Sequence, residues 1–187
     1  AYGYIGASAI AVVQIAYSIS DFFQALFFGI GNASAVMIGN EIGKNDMDKA
    51  IDYSNKILKI TFALSIILSV LLFLFKGQII KFFNLETSTS ISLNKTLVVY
   101  SLYFTPKMFS YIFICGILRS GGDTKFCMFV DIITIWCIGV PVAFIAVLVL
   151  KLPIHLVMAL VFGEELIKSV TVLKRYKSKK WINNVIM

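Results

Sequence analysis

Long runs of apolar residues, separated by short polar segments, make up the sequence as far as about residue 173. Each run approaches the ~20 residues that a helix needs to cross ~30 Å of hydrocarbon. Stretches such as residues 67–75 are continuously apolar. A membrane β-barrel would instead need strands of alternating polarity. The pattern therefore predicts an all-α integral membrane protein with about five transmembrane helices.

We predict membrane spans at about residues 7–40, 51–75, 96–118, 126–150 and 154–173. Residues 84–95 are rich in Ser, Thr and Asn, which predicts the longest loop and the start of a helix. At the first turn, Gly43 can end the outgoing helix, and Asn45 or Asp46 can cap the next one. Pro106 predicts a kink within the third span.

Composition and charge agree with a membrane protein. Hydrophobic residues make up 59% of the chain and charged residues 14%, whereas soluble domains carry about 25% charged residues. The net charge is +7, and the excess basic residues lie at the ends of spans and in residues 174–187. We therefore expect binding to a lipid bilayer and not to nucleic acid.

The distribution of these basic residues predicts the orientation. With five spans, the turns at residues 43–50 and 119–125 lie on the same side as residues 174–187. Lys and Arg are concentrated on that side, and membrane proteins keep such residues in the cytoplasm. We predict a multi-pass plasma membrane protein in which residues 174–187 form a basic cytoplasmic tail.

Two segments carry a recognisable pattern. GIGNASAVMIGNEIGKNDMDKA occupies residues 29–50, with Gly39 and Gly43 four residues apart on a small-residue face suited to close helix packing. ILRSGGDTKF occupies residues 117–126, and its turn contains Arg119, Gly121, Gly122, Asp123 and Thr124. We expect the two glycines to permit a left-handed turn, and Asp123 or Thr124 to cap the next helix.

These segments resemble the small-residue helix and the R-G-x-G-D-T turn of the MATE (multidrug and toxic compound extrusion) family. Further features follow in the order seen in bacterial members: Trp136 with Pro141, the pair Glu164 and Glu165, and the basic stretch RYKSKKW at residues 175–181. Each motif alone is common among membrane proteins, but the ordered set spans nearly the whole chain. The resemblance therefore identifies the chain as a MATE-like protein.

Family members have twelve helices in two six-helix lobes, with the substrate bound between the lobes. The resemblance implies that residues 1–187 form the carboxy-terminal lobe, from the end of the seventh helix to the twelfth, without the amino-terminal lobe. It implies a secondary antiporter that exports amphipathic or cationic drugs and toxic compounds. The coupling ion would be sodium or a proton, with no further cofactor. Some branches place an Asp on the tenth helix, where this chain has Lys107 and no carboxylate.

Four acids inside the predicted spans are candidates for cation or proton coupling: Asp21, Asp131, Glu164 and Glu165. A charge at the bilayer centre costs about 2.5–3.5 kcal/mol on insertion scales, so such a group usually faces a cavity or a partner. Asp21 can hold a proton or a sodium ion, or it can pair with Lys107. Asp131 can receive protons, or it can tie down the turn at residues 119–125 or Trp136.

The two adjacent glutamates face different directions on the last span. Glu164 precedes Lys168 by four residues, which is the favourable order for a helical ion pair. Only one of the two acids is neutralised in this way. The other can enter a cavity as a coupling group, or both can belong to a salt-bridged interfacial face.

Candidates for the substrate pathway are Gln24, Tyr103, Lys107 and Tyr111. The third span is rich in aromatic residues, which can bind flat organic cations through cation–π contacts. Such residues also fill ordinary helix-bundle cores, and both interpretations stay open.

Two other functions compete with drug export. A lipid-linked oligosaccharide flippase of the same superfamily would expose a larger basic cavity, and a non-transporting membrane scaffold would tolerate amides in place of its intramembrane carboxylates. We expect no enzyme, because the chain has a single His and no nucleophile or phosphate-loop motif. Its three cysteines lie in or beside apolar runs without metal-ligand spacing, so we expect no metal site.

Overall fold

The computed structural model describes residues 2–182, which fold as five long helices. They are α1 (Ala7–Gly43), α2 (Met47–Lys81), α3 (Thr87–Leu118), α4 (Thr124–Val149) and α5 (Ile154–Lys177), preceded by a short 3-10 turn at Tyr2–Tyr4. The predicted all-α fold is confirmed. Ala1 and residues 183–187, the end of the predicted basic tail, lie outside the described residues.

Each helix coincides with one predicted span. Helices α1 to α4 are long and apolar enough to cross a membrane. Helix α5 has 24 residues, which is sufficient in length, and it carries the charged residues Glu164, Glu165 and Lys168. Helix α2 has 35 residues, or about 52 Å at 1.5 Å per residue. Its charged first turns therefore extend beyond the ~30 Å hydrocarbon layer.

The helix start predicted within residues 84–95 is confirmed, but the predicted loop is shorter than expected. Helix α3 begins at Thr87, so the connection from α2 is limited to residues 82–86. The buried positions at the start of α3 recur at helical spacing: Thr89, Leu93, Thr96, Leu97 and Tyr100. Burial of this face against the bundle outweighs the weak helix preference of Ser and Thr.

The turn between α1 and α2 is closed by main-chain hydrogen bonds. The Asp46 N–H donates to the Glu41 carbonyl and the Asn45 N–H to the Ile42 carbonyl, both at 2.9 Å, the pattern of a Schellman motif. The left-handed residue is Asn45, with φ 62°, so Gly43 does not provide the cap as predicted. The Asp46 side chain accepts from the Lys49 N–H at 3.1 Å, which confirms its predicted capping role. Hydrogen bonds from Lys49 lower the pKa of Asp46.

Helices α1 and α3 approach each other closely at glycines other than the predicted pair. A Cβ added at Gly116 would lie 3.1 Å from Ser34 Cβ and 3.4 Å from the Gly31 carbonyl oxygen. At Gly39 the corresponding contact is an ordinary 4.0 Å, to Ser120 Cβ. The close-packed stretch is therefore centred on Gly31 and Gly116, toward the middle of α1.

Two of the helices contain wider π-helical turns. They are Ile112–Leu118 in α3, and Thr134–Gly139 and Ile145–Val149 in α4. Pro141 follows the first π segment of α4, and because proline has no N–H it cannot supply the usual hydrogen bond to the preceding turn. The π spacing before it is a recognised response to such an interruption. The other predicted proline, Pro106, lies inside α3.

The α1–α2 turn, the α3–α4 turn and the chain after α5 meet at one end of the bundle, here called the tail end. Gly121 lies against Trp181, and the Tyr176 hydroxyl donates to Asn55 Oδ1 at 2.9 Å. An apolar cluster that includes Ile42, Ala50 and Trp181 fills this end. The arrangement agrees with the predicted alternation of spans, while the side of the membrane on which the tail end lies stays a prediction.

Candidate functional site

Four charged side chains from three helices line one partly open cavity of about 150 Å³ between the helices. They are Lys107 of α3, Asp131 of α4, and Glu165 and Lys168 of α5, here called the charged cluster. Lys168 joins two of the helices, because its Nζ lies 3.5 Å from Asp131 Oδ1 and 3.6 Å from Glu165 Oε1. The side chains of Lys168 and Glu165 are only 9% and 13% exposed, so these charges are largely shielded from the surroundings.

Asp131 also connects the charged cluster to the tail end. Its Oδ2 lies 3.8 Å from a guanidinium nitrogen of Arg119, the first residue of the α3–α4 turn. This contact agrees with the interpretation that Asp131 helps to hold that turn. Trp136, the other proposed anchor, is 67% exposed. A role of Asp131 in proton uptake stays a prediction.

The two glutamates of α5 have different environments. Lys168 pairs with Glu165, three residues away, and the predicted pair between Glu164 and Lys168 does not form within the described residues. Glu164 instead lies against Gly139 of α4, where its carboxylate fills the space that a side chain would need. In both glutamates the Oε2 atom is buried and has no hydrogen-bond partner among the described residues.

Lys107 turns toward α1 without reaching the predicted acid. Its Nζ donates to Ser20 Oγ at 3.4 Å, and no ion pair joins it to Asp21 within the described part of the chain. Asp21 is exposed and does not line the cavity. Gln24, one turn further along α1, does line it, and its buried Oε1 atom lacks a hydrogen-bond partner among residues 2–182.

Two serines that the sequence interpretation missed connect α3 and α5 beside the cluster. Ser110 Oγ and Ser169 Oγ are 2.8 Å apart, and the Ser169 hydroxyl donates to the Pro106 carbonyl at 3.0 Å. The Ser110 hydroxyl also contacts the Glu165 carbonyl at 3.5 Å. A hydroxyl group within an apolar span indicates that a hydrogen-bond partner is needed. The sequence alone does not show which helix supplies that partner.

The predicted substrate-pathway aromatics are divided between the cavity and the core. Tyr111 lines the cavity and contacts Phe28 of α1 at a ring-centroid distance of 5.2 Å. Tyr103 borders an adjoining gap with Lys107 and Glu165. Other aromatic residues of α3 are fully buried and belong to the core, namely Tyr100, Phe104 and Phe113.

The turn after α3 has the predicted left-handed glycine but a different role for its acid. Gly122 has φ 86°, and the Asp123 N–H donates to the Leu118 carbonyl at 3.1 Å. Asp123 precedes Thr124, the first residue of α4, but its side chain makes no capping hydrogen bond. It instead binds Arg175 of α5 through two hydrogen bonds of 2.6 and 3.0 Å, so the prediction of a side-chain cap was wrong. This bidentate pair fixes the end of α5 to the turn.

Comparison with known proteins assigns a family to this arrangement. The family model described as MatE matches residues 1–145. "Uncharacterized transporter YisQ" of Bacillus subtilis is 24% identical over 178 residues, covering 95% of this chain and 39% of that protein. "Probable multidrug resistance protein NorM" of Mannheimia succiniciproducens is 28% identical over 141 residues, covering 75% of this chain and 30% of that protein. The chain thus spans less than half the length of these relatives.

Proposed function

The chain belongs to the MatE family, and we propose that it forms the carboxy-terminal lobe of a multidrug efflux transporter. The substrates are amphipathic or cationic drugs and toxic organic compounds. Export is driven by exchange for sodium ions or protons across the plasma membrane, and the tail end faces the cytoplasm. Relatives named as multidrug resistance proteins support the substrate class. The chain's coverage of 30–39% of its relatives' length supports the assignment to one lobe.

The charged cluster is the observation that carries the coupled mechanism. Charged groups inside membrane-spanning helices are costly and usually mark an ion or substrate pathway. Lys168 lies between carboxylates on two helices, at 3.5 and 3.6 Å. A cation or proton that binds one carboxylate weakens the ion pair between that carboxylate and Lys168. The Lys168 ammonium group then interacts more strongly with the other carboxylate.

This exchange of partners links ion binding to helix packing. When Glu165 is neutralised, Lys168 holds α5 to α4 through Asp131 alone. Because Asp131 also contacts Arg119, the change reaches the turn at the tail end. Alternating access between two lobes requires two arrangements of the helices whose populations change when an ion binds. The drug binds between this lobe and the lobe that we propose to precede it.

The same cluster argues against a lipid-linked oligosaccharide flippase. Lys107 and Lys168 share their cavity with Asp131 and Glu165, so the local positive charge is already balanced. A pyrophosphate group would need unpaired basic residues. A cavity of about 150 Å³ also fits a small ion or a few water molecules better than a sugar phosphate.

Efflux from cells tests the proposal. Bacteria lacking their own exporters and expressing this chain with its partner lobe are loaded with ethidium, and the fall in fluorescence is followed. Asp131→Asn and Lys168→Met should lower the efflux rate at equal membrane expression, because each removes one partner of the bridge. Asp52→Asn is the matched control, since Asp52 is exposed and paired with Lys56 at 2.7 Å, outside the cavity. Equal efflux in all variants would contradict the proposal.

A further inference from the structure

The charged cluster contains its own cations, which restricts the ion that it can exchange. Two ammonium groups, those of Lys107 and Lys168, line the same cavity as the carboxylates of Asp131 and Glu165. We propose that this lobe is coupled to protons and not to sodium ions, and that Glu165 is the group that carries the proton. The inference rests on the proposed transport function and assigns the coupling ion within it.

Both carboxylates of the cavity already have an ammonium group beside them. Hard cations bind through several oxygen ligands at short distance. Each carboxylate of the cavity faces Lys168, whose Nζ lies 3.5 Å from Asp131 and 3.6 Å from Glu165. A sodium ion bound to either acid would sit within a few ångströms of that ammonium, where two positive charges repel strongly because screening is weak. A proton needs no coordination shell and adds almost no volume.

The two acids differ in the number of cations that pair with them. Asp131 has two cationic partners, Lys168 and Arg119. Within the described residues, Glu165 has one ion pair, to Lys168, and its buried Oε2 has no hydrogen-bond partner. Its side chain is 13% exposed, against 33% for Asp131. The negative charge of Glu165 is thus more deeply buried than that of Asp131 and has fewer ion-pair partners. Protonation of Glu165 therefore removes the charge that is more costly to keep in the cavity.

Within the part of the chain that the structure describes, Glu165 faces charged groups on three helices. Lys107 approaches it from α3 and Asp131 from α4, while Glu164 and Lys168 lie beside it on α5. A second buried carboxylate next to it, that of Glu164, further favours uptake of a proton by one member of the pair. The two lysines already act as counter-ions to the carboxylates, so no metal cation is needed to balance the negative charge.

The resulting exchange is balanced in charge. A proton from water on the outer side binds Glu165 Oε2, and the carboxylate becomes a neutral carboxylic acid. The lobe then loses one negative charge near the pathway, so a cationic drug is held less firmly and leaves. Release of the proton to the cytoplasm restores the carboxylate, which attracts the next cation. One monovalent drug cation is thereby exchanged for one proton.

Reconstituted vesicles separate the two coupling ions. The complete transporter is placed in liposomes containing ethidium, in buffers in which N-methylglucamine replaces sodium. A pH gradient should drive ethidium movement without sodium, and a sodium gradient at equal pH should not. Glu165→Gln should lower the proton-driven rate at least about tenfold, and Glu165→Asp should retain part of it. Glu86→Gln, an exposed acid outside the cluster, serves as the control.

The possible results test proton coupling, the role of Glu165 and the proposed transport function separately. Movement driven by a sodium gradient at equal pH would overturn proton coupling while leaving drug export intact. Undiminished proton-driven movement by Glu165→Gln would overturn the assignment of Glu165. In Glu165→Gln, ethidium binding measured by fluorescence anisotropy should be weaker than in the wild type and should no longer depend on pH, because the amide resembles the protonated acid. Binding that kept the wild-type affinity and pH dependence would overturn the assignment. Failure of both gradients with folded wild-type protein would contradict the proposed function itself.

Discussion

Substitution of Gly121 by Ala tests how the tail end is held together. Gly121 lies in the turn between α3 and α4, and its Cα faces the indole and the main chain of Trp181. Trp181 is 0% exposed, and its ring is stacked on Tyr176 with a centroid distance of 5.6 Å. We expect the added methyl group to push the segment after α5 away from the turn.

The magnitude follows from what the methyl would meet. It would overlap both Trp181 Cε3 and the Trp181 carbonyl oxygen, and would lie 3.0 Å from Cζ3. Rotation of the side chain cannot relieve the contact with a main-chain oxygen, so the backbone must shift. Overpacking of this kind costs about 1–3 kcal/mol. For a chain of this size, the cost corresponds to a fall in Tm of roughly 2–12 °C.

Thermal unfolding in detergent, followed by the loss of monodisperse protein on size-exclusion chromatography, measures the effect. Gly77→Ala is the matched control, because it adds the same methyl to helix α2 with nothing within 4 Å. Alanine is the better helix former by about 1 kcal/mol, so the control should be unchanged or slightly more stable. Equal melting of the two variants would refute the close contact between Gly121 and Trp181.

Three further substitutions test other contacts by the same unfolding measurement. Asp123→Asn should lower the free energy of unfolding by about 2–4 kcal/mol, because it leaves the Arg175 guanidinium without its bidentate partner. An unchanged Tm would contradict a stabilising ion pair between Asp123 and Arg175. Gly116→Val should separate α1 from α3 and lower the Tm, whereas Gly29→Val, with nothing within 4 Å of its added Cβ, should not; similar values would contradict the close approach. Thr61→Val should be neutral or stabilising by up to about 1 kcal/mol, because the Thr61 hydroxyl is buried without a hydrogen-bond partner in the described residues; marked destabilisation would show that the hydroxyl is satisfied.

Sequence reasoning was most successful where one physical requirement dominates. Because a helix must cross ~30 Å of hydrocarbon, the apolar runs predicted five helices and their approximate positions along the chain. A helix start was predicted within residues 84–95 but its position was not, because the Ser and Thr residues between 87 and 92 are weak helix formers. Thr89, Leu93 and Leu97 occur at helical spacing and are buried, so this periodicity was available in the sequence.

Contacts between distant parts of the chain were less accessible. Adjacent glutamates on a helix point in different directions, and whether Lys168 pairs three or four residues back depends on where α4 lies. Asp123 has a favourable capping position, but Arg175 from α5 binds it instead at 2.6 Å. Neither outcome follows from local spacing. The sequence did indicate three of the four members of the charged cluster as acids or pathway residues, namely Asp131, Glu165 and Lys107, and it named Lys168 as an ion-pair partner.

Ion-coupled ethidium transport in vesicles that contain either this chain alone or this chain with its partner lobe tests the central claim most directly. The proposed drug pathway lies between the lobes, so the 187-residue chain alone should give the background rate. Addition of the amino-terminal lobe, fused or as a separate polypeptide, should give exchange that depends on an ion gradient and is lost with Lys168→Met. Gradient-driven exchange by this chain alone, or none when both lobes are folded together, would contradict the account.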